Sequence, residues 1–291
     1  MTNNLIDQFK SASILVKLIA VNSVLYLGVH LAAFLFRIQQ GTLVSWFVLP
    51  DDLGSLIFQP WSLLTYSFLH FGLWHLLFNM LWLYWFGKIV LNLFNSKRFL
   101  TIYLLGGLFG GLFYVLAYNL FPVFTNTSGH LIGASGAVMA IMVFIATYSP
   151  NSEMRIFFFN VKLWQIAAVI ILLDLVQIPT SANAGGLLAH VGGAIFGYLY
   201  AVQMAKGNDI GKWFENVLDW VENLFTPRVK SPFKKVHRNA RPSAVKSKSK
   251  SEKTGHQLKV DGILDKIGKS GYESLTKAEK DFLFNAGKDE K

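Results

Sequence analysis

"HLIGASGAVMAIMVFIATY", residues 130–148, sets a hydroxyl between two glycines at the head of a run that is otherwise apolar as far as Tyr148. Lipid offers Ser135 no partner, so the stretch is either a surface of small residues for helix packing or the mouth of a site. Gly133 with Ala137, and Gly136 with Ala140, form two small pairs four residues apart, the spacing of one helix face. Taken alone, the stretch fits close packing better than chemistry. The choice turns on what the neighbouring runs bring to the same depth.

Those neighbours belong to a membrane. Of 291 residues, 53% are hydrophobic and only 15% are charged, where a soluble domain carries about a quarter charged. Six apolar runs, at 14–36, 70–90, 99–121, 131–149, 162–179 and 184–204, approach the roughly 20 residues that cross a bilayer. The expected fold class is therefore all-α, a polytopic membrane bundle of six transmembrane helices. The fourth and fifth runs are short and need thin surroundings or burial within the bundle. Residues 1–13 form a short leading segment without a strongly basic head. No small-residue cleavage site follows the first run, which is expected to be retained as a span.

Charge orients the spans. The second connection carries Lys88, Lys97 and Arg98, the fourth carries Arg155 and Lys162, and the third has no Lys or Arg. Positive-inside bias then predicts both termini in the cytoplasm and the first, third and fifth connections outside. The net charge of +10 is concentrated after residue 227, so no nucleic-acid partner is indicated. The absence of cysteine excludes disulfides, thiolate metal sites and a cysteine nucleophile. No metal or cofactor is expected. "GGLFGG", Gly106 to Gly111, reads as a close-approach surface for a neighbouring helix.

With that orientation, the second, fourth and sixth runs all enter from outside. They deliver His75 and Asn79, Ser135, and His190 to the same outer third of the membrane, and no comparable cluster is expected near the inner surface. Polar groups at such depth are costly and mark function by default. Each has a blander reading: packing for Ser135, an interhelical hydrogen bond for Asn79, a packed or proton-relaying imidazole for His190. Jointly they read as a nucleophile and its base, because a serine hydroxyl is weak until a base takes its proton. Gly193 and Gly197 form a smooth stripe beside His190, matching Gly133 and Gly136 beside Ser135, so the two helices can approach closely. Asn79, His75 and the unpaired N–H groups at the head of the Ser135 helix could stabilise an oxyanion.

"GASGA" in the fourth run, "AHVGGAIFG" in the sixth and "HFGLWHLLFN" in the second resemble the rhomboid intramembrane serine proteases over residues 14–204. The resemblance implies a Ser135–His190 dyad without a carboxylate, oxyanion assistance from His75 and Asn79, and a structural role for His70 in holding the outer loop. It implies a transmembrane protein substrate cut near the outer surface, in a bacterial inner membrane. Ser62, Leu91 and Met139 depart from the family pattern; Met139 stands where some members stack an aromatic ring on the histidine. A non-catalytic relative that binds client spans is the alternative. A transporter would need further polar groups at the midplane and inner half.

Loop 37–69 mixes aromatics with turn residues and is expected to dip into the outer leaflet. Residues 209–225 read as an amphipathic helix that lies on the inner surface or packs on the protein by its apolar face. Residues 227–256, rich in Lys, Arg and Ser, read as a disordered basic linker. Residues 258–288 read as a small helical hairpin whose second helix is capped by Ser274 or Thr276.

Overall fold

The computed structural model describes residues 5–156, 158–225 and 255–286, in two units divided at Arg228. In the first unit a short α1 (Leu5–Ser11) leads into α2 (Ile14–Phe36). Three short helices follow, α3 (Gln40–Leu43), α4 (Leu53–Phe58) and α5 (Ser62–Thr65). The bundle continues with α6 (Leu73–Leu93), α7 (Ser96–Leu120), α8 (Ser135–Tyr148), α9 (Leu163–Gln177) and α10 (Ala184–Ala205), and α11 (Lys212–Phe225) closes the unit. Helices α2, α6, α7 and α10 are long and apolar enough to cross a membrane; α8 and α9 are shorter apolar helices. The chain is a helical membrane bundle.

The two short helices differ. Helix α8, about 21 Å long by helical rise, is buried on every side from Gly136 to Ala146. It needs no lipid-matched length because protein surrounds it. Helix α9 instead exposes Leu172, Leu173 and Val176 on the flank of the bundle. Small residues let the neighbours of α8 close in. A Cβ at Gly106 of α7 would collide with the Ala140 side chain, and a Cβ at Gly193 or Gly197 of α10 would collide with the carbonyl oxygens of Gly136 and Ala140. The small pairs of the opening stretch thus do pack against helices, and that packing sets the register of Ser135 against α10.

Side chains start several helices. Asn95 accepts from the Arg98 N–H at 2.8 Å to cap α7, and Asn183 accepts from the Gly186 N–H at 3.2 Å to cap α10. Helix α8 has no side-chain cap. The first loop folds back on the start of α8: β1 (Leu49–Pro50) pairs with β2 (His130–Leu131), antiparallel. Asp51 accepts from the Gly129 N–H at 2.7 Å, and Trp61 Nε1 donates to the Trp46 carbonyl at 2.7 Å. Ser62 is fully buried in this loop, and Leu91 is partly buried against the core.

One feature differs from the sequence reading. Residues 150–162 are not a plain turn but hold a hairpin, β3 (Glu153–Ile156) with β4 (Phe159–Lys162), leading directly into α9. Helix α11 packs on the bundle through Phe214 and through its acidic residues. Its acidic residues meet α7: Glu215 pairs with Arg98 at 3.1 Å, Glu222 with Lys97 at 3.1 Å, and Asp219 also pairs with Lys97. Trp213, Val217, Trp220, Val221 and Leu224 remain exposed. Arg98 further pairs with Asp209, whose carboxylate accepts from the Tyr200 hydroxyl at 2.9 Å. A charged cluster therefore sits at this end of the bundle.

The basic segment 227–256 lies almost wholly outside the described residues. In the second unit, α12 (Gly255–Ser270) and α13 (Lys277–Ala286) pack around Ile263 and Leu275. Thr276 and Glu279 cap α13 reciprocally: the Glu279 carboxylate accepts from the Thr276 N–H at 2.7 Å, and Thr276 Oγ1 accepts from the Glu279 N–H at 3.4 Å.

Candidate active site

The first residues of α6, α8 and α10 lie at one end of the bundle, opposite the Arg98 cluster. Ser135 is the first residue of α8. Just before it, Gly133 has φ +122°, a conformation that side chains other than glycine's rarely adopt. A Cβ there would lie 2.5 Å from the His75 ring, so glycine also admits His75 close to the start of α8. The Gly133 N–H donates to the Tyr66 carbonyl at 3.0 Å, and the Tyr66 hydroxyl donates to the Gly107 carbonyl at 2.7 Å. This turn is thereby tied to the first loop and to α7.

The N–H groups of Ser135, Gly136 and Ala137 meet no acceptor among the described hydrogen bonds. They form the unpaired start of a helix that is otherwise deeply buried. His70, only 2% exposed, receives the Ala134 N–H at Nε2 over 3.4 Å. It packs edge-on against His75, with ring centroids 5.0 Å apart. The Asn79 amide nitrogen donates to the His75 carbonyl at 3.0 Å and contacts His70 Nε2 at 3.3 Å. One amide hydrogen is thus committed to the His75 carbonyl, while the other shares the single lone pair of His70 Nε2 with the Ala134 N–H. His75 ring nitrogens carry no such commitment among the described hydrogen bonds.

Helix α10 brings His190 to this end, and its backbone lies against that of α8: a Cβ at Gly136 would be 3.3 Å from the Ala189 carbonyl oxygen. No hydrogen bond joins Ser135 to His190. His190 instead lies with Nδ1 2.8 Å from the Asp174 carboxylate, on α9. An acid thus sits against the imidazole, a contact the resemblance does not imply. Met139 is buried, and no aromatic ring stacks on His190 among the described residues. Asp174 escaped the sequence reading although a signal was present: it is the lone charged residue in "LWQIAAVIILLDLVQ". Among the described residues no group of acids and histidines could hold a metal ion.

A model of the rhomboid domain matches residues 58–207, just over half of the chain. The chain belongs to the rhomboid family. Relatives of this rhomboid include the mitochondrial presenilin-associated rhomboid-like protein of Homo sapiens, 27% identical over 55% of this chain and 41% of that protein. RHOMBOID-like protein 12, mitochondrial, of Arabidopsis thaliana is 30% identical over 50% of this chain and 47% of that protein. Rhomboid protease GlpG of Yersinia enterocolitica is 28% identical over 62% of this chain and 60% of that protein. This rhomboid thus spans less than two thirds of the length of each. Its residues 244–285 match a family of unknown function (DUF6576).

Proposed function

We propose that this rhomboid is an intramembrane serine endopeptidase that hydrolyses peptide bonds in or beside the transmembrane segments of other membrane proteins. The observation that carries the reading is the backbone contact of α8 with α10, at the bundle end where Ser135 heads an uncapped helix and His190 faces a carboxylate. Ser135 Oγ attacks the scissile carbonyl carbon and gives its proton to His190 Nε2. The oxyanion is met by the Ser135 N–H and by His75. The imidazolium then protonates the leaving amine, and water attacks the acyl-enzyme to release the new carboxyl end. The Ser135–His190 hydrogen bond forms as substrate binds; such bonds are commonly long in the resting enzyme.

We place it in a bacterial inner membrane on the resemblance alone; the positive-inside distribution of Lys and Arg supports both termini in the cytoplasm and the site toward the outer face. The second reading, a non-catalytic binder of client spans, is favoured by the lack of a Ser135–His190 hydrogen bond among the described residues. Reconstitution with a single-span substrate decides between them. Wild type is expected to cut, and Ser135→Ala and His190→Ala to lose at least about 10⁴-fold in turnover. Cleavage that survives Ser135→Ala rejects the protease reading.

A further inference from the structure

Asp174 lies one turn from the end of α9, in a helix with no other acid and no Lys or Arg. A charged side chain in such a helix is costly and faces the bundle interior when it has a purpose there. Asp174 does so: its side chain is 12% exposed, and its one described side-chain partner is His190 Nδ1 at 2.8 Å. A carboxylate accepts and cannot donate, so Nδ1 must carry the proton across this bond. That leaves Nε2 as the lone-pair nitrogen, the state a general base requires. The bond also fixes the plane of a ring on which no aromatic side chain stacks among the described residues.

We propose that Asp174 is a positioning residue for His190, holding the imidazole in the Nδ1–H tautomer with Nε2 directed at Ser135 and stabilising the imidazolium formed during acyl transfer. The assignment rests on the protease reading, but its structural half can be tested without it. The alternative role for Asp174 is a plain tie between α9 and α10.

The experiment compares full-length wild type with Asp174→Asn and Asp174→Ala in proteoliposomes, each matched for folded amount. Asn keeps the shape but can offer an N–H to Nδ1, which favours the other tautomer. In both variants kcat is expected to fall about 10²–10⁴-fold with KM nearly unchanged, as when a triad carboxylate is lost. The ¹⁵N spectrum of histidine-labelled protein should move the His190 proton from Nδ1 in wild type to Nε2 in Asp174→Asn. Unchanged kcat per folded molecule in both variants overturns the proposal, whether or not their thermal stability drops. So does a wild-type His190 protonated at Nε2. If no form cleaves while the tautomer still switches, the protease reading has failed and the positioning contact stands.

Discussion

At one end of the bundle Arg98, Asp209, Glu215 and Tyr200 satisfy one another. At the other, among the described residues, Ser135 has no hydrogen-bonded base and the first N–H groups of α8 have no acceptor. Both ends gather polar side chains from helices far apart in sequence. The difference lies in how completely the groups are paired. A closed network at the start of α7 holds α11 in place and leaves little to offer a ligand. An open arrangement at the start of α8 leaves donors and a hydroxyl unspent, which costs stability and is maintained where chemistry needs it.

The contrast is broken most sharply at the open end. His75→Ala should lower kcat by about 10²–10³, the loss typical of one oxyanion donor, with thermal stability unchanged. Asn79→Ala should reduce stability as well, since its amide holds the His75 carbonyl and His70. Full activity in the double variant would remove both from the site. Gly193→Ala comes next. Its new Cβ would meet the Gly136 carbonyl oxygen, so overpacking should cost about 1–3 kcal/mol and push α10 from α8. Melting temperature and turnover should fall together.

At the closed end the two readouts should separate. Glu215→Ala removes a charge-assisted hydrogen bond to Arg98, whose other partner, Asp209, remains. A loss of about 1–3 kcal/mol in stability is expected, with turnover per folded molecule unchanged. A hundredfold loss of turnover at full stability would couple this end to the site.

The smallest effect is expected in the second unit. Its reciprocal cap holds the Glu279 carboxyl well below the ordinary 4.5, at about 2, chiefly through the Thr276 N–H and then through Lys266 and the Thr276 hydroxyl. Because the folded value is depressed, this stabilisation is complete above about 4.5 and is lost as pH falls toward about 2. Amide-exchange protection in the first turn of α13 should decline over that window. In Glu279→Gln it should be lower from the outset and flat with pH.

These regions were unequally legible in the sequence. Hydropathy located the apolar helices because span length is a property of a single run. Ser135, His75 and His190 could be placed at one depth because three runs enter from one side. Asp174 could not be paired with His190, since that pairing depends on how α9 and α10 lean together across the turn between them. Amphipathicity showed that α11 has two faces, but not that its acidic residues would pair with Lys97 and Arg98. The engagement of Asn79 with the His75 carbonyl, four residues back on the same helix, was within reach of local reasoning and was missed. The β3–β4 hairpin is too short for its alternation to stand out.

The central claim is that Ser135 is a nucleophile activated at the open end of the bundle. A serine-reactive fluorophosphonate tests it in intact membranes, without knowledge of a natural substrate. Wild type should be labelled at Ser135, His190→Ala should be labelled far more slowly, Glu215→Ala should match wild type, and Ser135→Ala should not be labelled at all. Wild-type membranes that take up no label at Ser135, with the protein shown to be folded, would contradict the account and favour a rhomboid that binds membrane spans without cutting them.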